Sequence, residues 1–390
     1  MKLKVIDLFC GVGGLSYAFA NSSKFELIAA NDILPDMTTA YSLNHPGVKT
    51  YCSDVKDFGA ALLEKDTRIR ARDIDLIVGG PPCQAYSTVG KRLIDDPRGK
   101  LFQEYFRILQ EFQPKFFIFE NVKGLVSMGN GQLLPTIIDL FESLGYSVKF
   151  RTLNAADYGT PQIRERVIIT GTLLPAEYDY PEPTHINPKT PLSMLGMGMK
   201  PHVTLGEAIG DLPFIEAGEE SREYASPPQN DYQYEMRAKA PGELADHNAP
   251  RNHDGLMAIM KALPEGGMPR DLPDDLRPKS GFGNTYSRLW WDRPSTTVTR
   301  NLGTPSSSRC IHPKVARALT TREGARLQGF PDHFVFYGSR AARNLQIGNA
   351  VPTQLSKALA SSVARHFGAA SQRKTARASE KVSSGHIRPR

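Results

Sequence analysis

Residues 74–84 read Ile74-Asp75-Leu76-Ile77-Val78-Gly79-Gly80-Pro81-Pro82-Cys83-Gln84. Ile74, Leu76, Ile77 and Val78 predict a short buried strand, and the paired glycines and prolines must end it. A cysteine then stands at the carboxyl end of a parallel strand, the edge where ligands and chemistry gather in open α/β sheets. A lone cysteine more often packs inertly in a core. Two glycines and two prolines instead describe a rigid loop that a substrate can approach closely.

Outward from this stretch, strand and helix signals alternate. Leu3 to Phe9 predicts a strand, followed by Cys10-Gly11-Val12-Gly13-Gly14 and a helix through Ala20. Phe25 to Ala30, Phe116 to Phe119, Tyr146 to Leu153 and Val167 to Thr170 predict further strands. Met37 to Leu43, Lys100 to Phe112 and Leu133 to Leu144 predict helices, the last stopped by Gly145. This order implies an α/β fold, a doubly wound and mostly parallel sheet of Rossmann-like type. From Leu174 to about Leu289 the chain is rich in Pro, Gly, Asp and Asn with weak periodicity. It is too long for a loop and predicts a second, smaller, irregular domain with short strands. Helical spacing returns over Ala316 to Gln328 and Thr353 to Phe367, the latter expected to dock on the sheet. The expected division is a first catalytic part over 1–173, a second domain over 174–312, a return over 313–368 and a basic disordered tail over 369–390.

The net charge of +7 is concentrated: the tail from Ser371 to Arg390 holds six basic residues and one acidic. A nucleic-acid surface must therefore be a local patch. No apolar run spans a bilayer, and Asp7 and Cys10 interrupt the first apolar stretch, unlike a signal peptide. Cys10, Cys52, Cys83 and Cys310 show neither paired nor metal-ligand spacing. These features imply a reducing, cytoplasmic setting with no metal and no membrane partner.

The glycine loop between first strand and first helix can let backbone approach a cofactor at an electropositive helix end. The third glycine of the dinucleotide fingerprint is replaced by Ser16. Asp32, ending the second strand, is placed to accept ribose hydroxyls, and Asp54 an adenine amino group. Taken singly, each aspartate reads more readily as a loop or cap residue. Glu120-Asn121 ends an apolar strand at the same sheet edge. Alternation puts Arg164 and Arg166 on one face, which beside a cysteine and a glutamate suits an anionic or carbonyl-bearing substrate.

In order and spacing these elements resemble the S-adenosylmethionine-dependent DNA cytosine-5 methyltransferases of bacterial restriction-modification systems. The resemblance covers nearly the whole chain. It rests on Asp7-Leu8-Phe9-Cys10-Gly11-Val12-Gly13-Gly14, on Gly79 to Ser87, and on Glu120-Asn121-Val122. It rests also on Gln162-Ile163-Arg164-Glu165-Arg166, Arg293-Pro294-Ser295-Thr296-Thr297-Val298 and Gln346-Ile347-Gly348-Asn349-Ala350-Val351-Pro352. Amino-directed methyltransferases carry an aromatic residue where Cys83 stands, and Asp32 occupies a position where the family more often has glutamate.

The resemblance implies that Cys83 is the nucleophile, with Glu120, Arg164 and Arg166 completing the catalytic set. It implies S-adenosyl-L-methionine as cofactor, held by Phe9, Gly11, Gly13, Gly14, Asp32, Asp54, Val55, Pro81, Leu101 and Asn349. The implied partner is double-stranded DNA, with a cognate restriction endonuclease as a genetic partner, a monomeric enzyme and a bacterial, nucleoid-associated location. The segment Ala85 to Lys100, with Lys91, Arg92 and Arg98, is expected to close over DNA around a flipped base. The region 174–312 is expected to read the target sequence, with Arg270, Arg277, Lys279, Asn284, Tyr286, Arg288, Arg300, Asn301 and Arg309 as candidates. A transfer-RNA cytosine-5 methyltransferase is the alternative. That group carries a Cys-Phe-Thr signature, which this sequence lacks.

Overall fold

A computed structural model describes residues 2–82, 100–188, 198–279 and 283–384. Seven strands form the central sheet: β1 (Leu3–Leu8), β2 (Phe25–Asp32), β3 (Lys49–Cys52), β4 (Leu76–Gly79), β5 (Phe116–Val122), β6 (Ser147–Asn154) and β7 (Glu165–Thr172). Their order is β3-β2-β1-β4-β5-β7-β6. Strands β1 to β5 pair in parallel, while β7 runs antiparallel to both β5 and β6. The mostly parallel sheet expected from the sequence is present.

Strand chemistry follows position. All four residues of β4 are buried, as are Phe116 to Phe119 of β5, because helices cover both faces. Alternation divides their side chains. Ile6, Ile77, Phe117 and Phe119 pack on one face with Phe102, Tyr105, Ile108 and Leu109 of α4 (Lys100–Phe112) and Ile137 and Phe141 of α5 (Leu133–Ser143). Val5, Leu76, Val78, Phe116 and Ile118 pack on the other face with Leu355, Leu359, Val363 and Phe367. Strand β6 lies at the sheet edge, and most of its residues are accessible.

The helices before α4 are α1 (Tyr17–Ala20), α2 (Pro35–Asn44) and α3 (Ala60–Thr67). After the sheet come a two-residue pair, β8 (His185–Ile186) with β9 (Lys200–Pro201), and short helices α6 (Leu205–Ile209), α7 (Asp231–Arg237) and α8 (Asp254–Ala262). Helices α9 (Thr321–Leu327), α10 (Arg340–Asn349) and α11 (Thr353–Ser384) complete the chain. A third apolar cluster joins Val12, Met37 and Ala40 to Leu205, Ile209, Val298, Leu327 and Phe330. Buried ion pairs pin α9: Arg326 bonds Asp211 and Asp332 at 2.7 Å each, and Arg317 bonds Glu323.

Two local expectations change. The predicted helix after Gly14 is a single turn, α1, so its dipole is small. The segment after Gly368, expected to lack structure, continues α11 as far as Ser384. Ala, Ser, Arg and Lys dominate it, and Ala, Arg and Lys extend a helix once tertiary packing has nucleated it.

Candidate active site

Strand order reverses between β1 and β4, since the chain winds outward through β2 and β3 on one side and through β5 on the other. Beyond the carboxyl ends of these strands lies a cleft of about 630 Å³. Sequence-adjacent turns build its walls.

The loop after β1 turns sharply: Phe9, Gly11 and Gly13 have φ of 55°, 53° and 91°. A Cβ at Gly13 would lie 2.4 Å from His45 Nε2, and one at Gly14 would lie 2.4 Å from the Val351 carbonyl oxygen. These two glycines permit close packing. A Cβ at Gly11 would meet nothing within 4 Å among the described residues, which leave this side of the loop open. Phe9, Gly11 and Gly14 line the cleft; Gly13 sits behind it.

Asp32, at the end of β2, accepts hydrogen bonds from the Gly11 and Leu34 backbone N–H groups, each at 2.9 Å. Burial raises its pKa, opposed by the Leu34, Gly11 and Ile33 backbone N–H groups. Asp54 caps the turn Val55–Asp57, accepting from the Lys56 N–H at 3.1 Å, and pairs with Lys56 Nζ at 3.4 Å. Asp32, Asp54, Val55, Pro81, Leu101 and Asn349 all line the cleft. Beneath the glycine loop, Asp7 is 1% exposed and its Oδ2 has no hydrogen-bond partner among the described residues. Burial pushes its pKa up to about 7, against a hydrogen bond with Ser16 and reinforced by the Asp32 charge.

The other wall carries Glu120 and Arg166. Strands β5 and β7 bring them together, and Arg166 Nε donates to Glu120 Oε1 at 2.7 Å with both side chains 12% exposed. Gly80 lies against this carboxylate: a Cβ there would be 2.6 Å from Glu120 Oε2. Asn121 Nδ2 donates to the Pro81 carbonyl at 3.1 Å and so holds the chain two residues before Cys83. Cys83 itself, and Lys91, Arg92 and Arg98, lie outside the described residues.

Arg164 lines the cleft, yet its terminal nitrogens are engaged by protein. They donate to the Val298 and Gly348 carbonyls, each at 2.8 Å. Burial lowers its pKa, as does Arg166, while Glu120 opposes. Gln162 continues this junction, accepting from the Val298 N–H at 2.7 Å and donating to the Leu327 carbonyl at 2.9 Å. Two arginines expected at a DNA face are instead internal. Arg288 donates to the His312 and Pro313 carbonyls, and Arg309 to those of Gly266 and Arg288. Arg309 also stacks over Trp290 at 4.3 Å.

The carboxylate–guanidinium pair stands across the cleft from the glycine loop, and the chain that carries both matches one sequence family over residues 3–365: C-5 cytosine-specific DNA methylase. The chain belongs to that family. This methylase is 36% identical over 366 residues to Type II methyltransferase M1.HphI of Haemophilus parahaemolyticus, covering 93% of this chain and 87% of that one. It is 37% identical over 373 residues to Type II methyltransferase M.XorII of Xanthomonas oryzae pv. oryzae, covering 91% and 82%. A crystal structure of a prophage-encoded Escherichia coli protein, assigned as a DNA modification methyltransferase, superposes with a TM-score of 0.74 at 25% identity. It covers 94% of this chain and 100% of that one. The Spodoptera frugiperda DNMT2 structure shares the fold, with a TM-score of 0.59 at 16% identity and coverage of 93% and 99%.

The methylase cleft also uses residues to which the sequence assigned no individual role, three of them inside the motif Gln346 to Pro352. Ile33 and Leu34 line it although they are 61% and 42% exposed, and Gln346, Gly348 and Val351 close its far side. An apolar pair directly after a strand-end aspartate was the available signal for the first two. Among the described residues, no group of three metal-ligating side chains occurs and no helix is long and apolar enough to cross a membrane.

Proposed function

We propose that this methylase modifies carbon 5 of a cytosine flipped out of a specific duplex DNA sequence, through a transient covalent bond from Cys83 to carbon 6. The observation that carries the reading is the Glu120–Arg166 pair at 2.7 Å, seated on Gly80 next to the loop that leads into Cys83. Cytosine needs this residue set. Carbon 5 is a weak nucleophile until a thiolate adds at carbon 6, breaking the 5,6 double bond and moving electron density to carbon 5. Glu120 hydrogen-bonds the ring nitrogen and amino group and offsets charge as the ring is activated. Arg166 binds the carbonyl at position 2 and is held in register by Glu120. Arg164, whose terminal nitrogens bond protein carbonyls, acts as a positioning residue. Once carbon 5 carries the methyl group, loss of its proton expels the Cys83 thiolate and restores the double bond.

The cleft fits S-adenosylmethionine. Its wall contains a buried carboxylate oxygen without a partner among the described residues, Asp7 Oδ2, which suits a cationic ligand, and no described residue lies against the Gly11 side of the loop. Phe9, Gly11, Gly14, Asp32, Asp54, Val55, Pro81, Leu101 and Asn349 would hold it, with Gly13 shaping the loop behind. When bound, it supplies an electrophilic methyl group.

Flipping a base out of the stack costs a few kcal/mol, so DNA contacts must supply that energy. We assign them to the region 174–312 and to the segment Ala85 to Lys100. The likeness to Type II methyltransferases supports a role in protecting host DNA within a restriction-modification system. Bisulfite sequencing of DNA from cells expressing the protein tests this proposal, alongside methyl incorporation into duplex DNA and transfer RNA in vitro. One short sequence, methylated at a fixed cytosine in DNA, is expected. Incorporation into transfer RNA alone would overturn it.

A further inference from the structure

From Arg293 to Arg322 the chain holds six Arg or Lys residues and no Asp or Glu. Five of the cations have partners. Arg293 lies 3.7 Å from Asp292, Arg309 bonds backbone carbonyls, Lys314 pairs with Glu265, Arg317 with Glu323, and Arg322 donates to the Ala245 carbonyl. Arg300 is exposed and, among the described residues, has neither an acidic nor a carbonyl partner.

Its backbone is nonetheless tightly held. Leu302 N–H bonds the Thr299 carbonyl at 3.1 Å, and Asn301 N–H bonds Thr299 Oγ1 at 3.2 Å. Leu302 itself is buried. A Cβ at Gly348 would lie 2.1 Å from Arg300 N, so the Thr299–Arg300 backbone rests directly on the segment that walls the cleft. Thr297 Oγ1 donates to the Ile163 carbonyl, and Arg164 bridges Val298 and Gly348. The turn bearing Arg300 is thus fastened to Ile163 and Arg164, the two residues that lead into the strand presenting Arg166.

We propose that Arg300 binds a backbone phosphate of the DNA beside the target cytosine, fixing the duplex relative to Glu120 and Arg166. The inference rests on duplex DNA being the substrate. A rigid turn placing one uncompensated guanidinium near the catalytic wall fits a fixed anion, and a phosphodiester is the anion every DNA sequence offers there.

The test uses the full-length protein and a fluorescent duplex containing its methylation site. Affinity is measured from 50 to 200 mM salt for wild type, Arg300→Gln and Arg300→Lys. Losing one phosphate contact should lower the salt slope by about 0.9, so wild type should lose about 3.5-fold more affinity than Arg300→Gln over this range. Arg300→Lys should retain most of the slope. Neutral methylphosphonates placed one at a time around the target cytosine should reveal one phosphate that weakens wild type but not Arg300→Gln. Equal affinity and slope in Arg300→Gln would overturn the inference alone. A changed methylation site in that variant would make Arg300 a base reader and overturn it too, as would a sensitive phosphate remote from the target. Wild type that ignores duplex DNA while methylating another polymer would instead defeat the substrate reading, and this inference with it.

Discussion

Gly80→Ala separates catalysis from folding at one atom. The added Cβ would stand 2.6 Å from Glu120 Oε2, whereas ordinary contacts begin at 3.4 Å. The carboxylate must therefore retreat by about 0.8 Å, and a misplacement of this order costs roughly 10²-fold in rate. Because the clash is with the free end of a side chain, the backbone need not move, and stability should change by less than about 1 kcal/mol. The retreat would also disturb the 2.7 Å bond to Arg166, so both groups proposed to grip the base would lose register together. Single-turnover methyl transfer under saturating cofactor is the assay, with cofactor affinity by calorimetry and urea unfolding as controls. The expected result is a rate about 10²-fold down, or about 2.7 kcal/mol of barrier, in a protein that still folds and binds cofactor. A folded variant with a rate within threefold of wild type would show that the position of Glu120 is not critical.

Glu120→Gln should also slow methyl transfer about 10²-fold or more, because the amide cannot supply the proton or charge; an unchanged single-turnover rate would make Glu120 structural. Asp7 has its folded pKa raised from 3.8 to about 7. The folded state then binds more protons than the unfolded state between those values, and stability falls as pH rises through this window, by up to about 4 kcal/mol. Asp7→Asn should flatten that fall in the ligand-free protein, and equal pH 5-to-8 differences in unfolding free energy for variant and wild type would contradict this. Arg326→Met leaves Asp211 and Asp332 buried without their principal partner. It should cost about 3–5 kcal/mol, and a loss under 1 kcal/mol in urea unfolding would refute that role.

The sheet was legible because its central strands are covered on both faces, which writes them as unbroken apolar runs such as Leu76 to Val78 and Phe116 to Phe119. The same logic made the strand ends visible, so Asp32, Asp54 and Glu120 were found as residues, while their bonding was not. Asp54 caps its own turn, and Asp32 receives the Gly11 N–H from 21 residues away. Arginines were the least legible. Arg164, Arg288 and Arg309 bear charge and read as surface or substrate groups, yet carbonyls 21 to 184 residues distant in sequence bury them. No local pattern encodes such partners. The run after Gly368 is rich in Ser, Arg and Lys and lacks large apolar anchors, which suggested disorder, while its helix-forming composition only matters once α11 is anchored by Leu355 and Leu359. Ile33 and Leu34 hid for the opposite reason, being apolar groups that face a cleft rather than a core.

The central claim is a covalent bond between Cys83 and carbon 6 of the target base. Release of that bond requires removing the proton from carbon 5. Fluorine in place of that hydrogen blocks elimination after methyl transfer. Duplex DNA with 5-fluorocytosine at the target position, incubated with the protein and S-adenosylmethionine, should give a denaturant-stable adduct mapping to Cys83 by mass spectrometry. The adduct should disappear without cofactor and in Cys83→Ser. No covalent species on a duplex that the protein demonstrably methylates, or an adduct at another residue, would contradict the account.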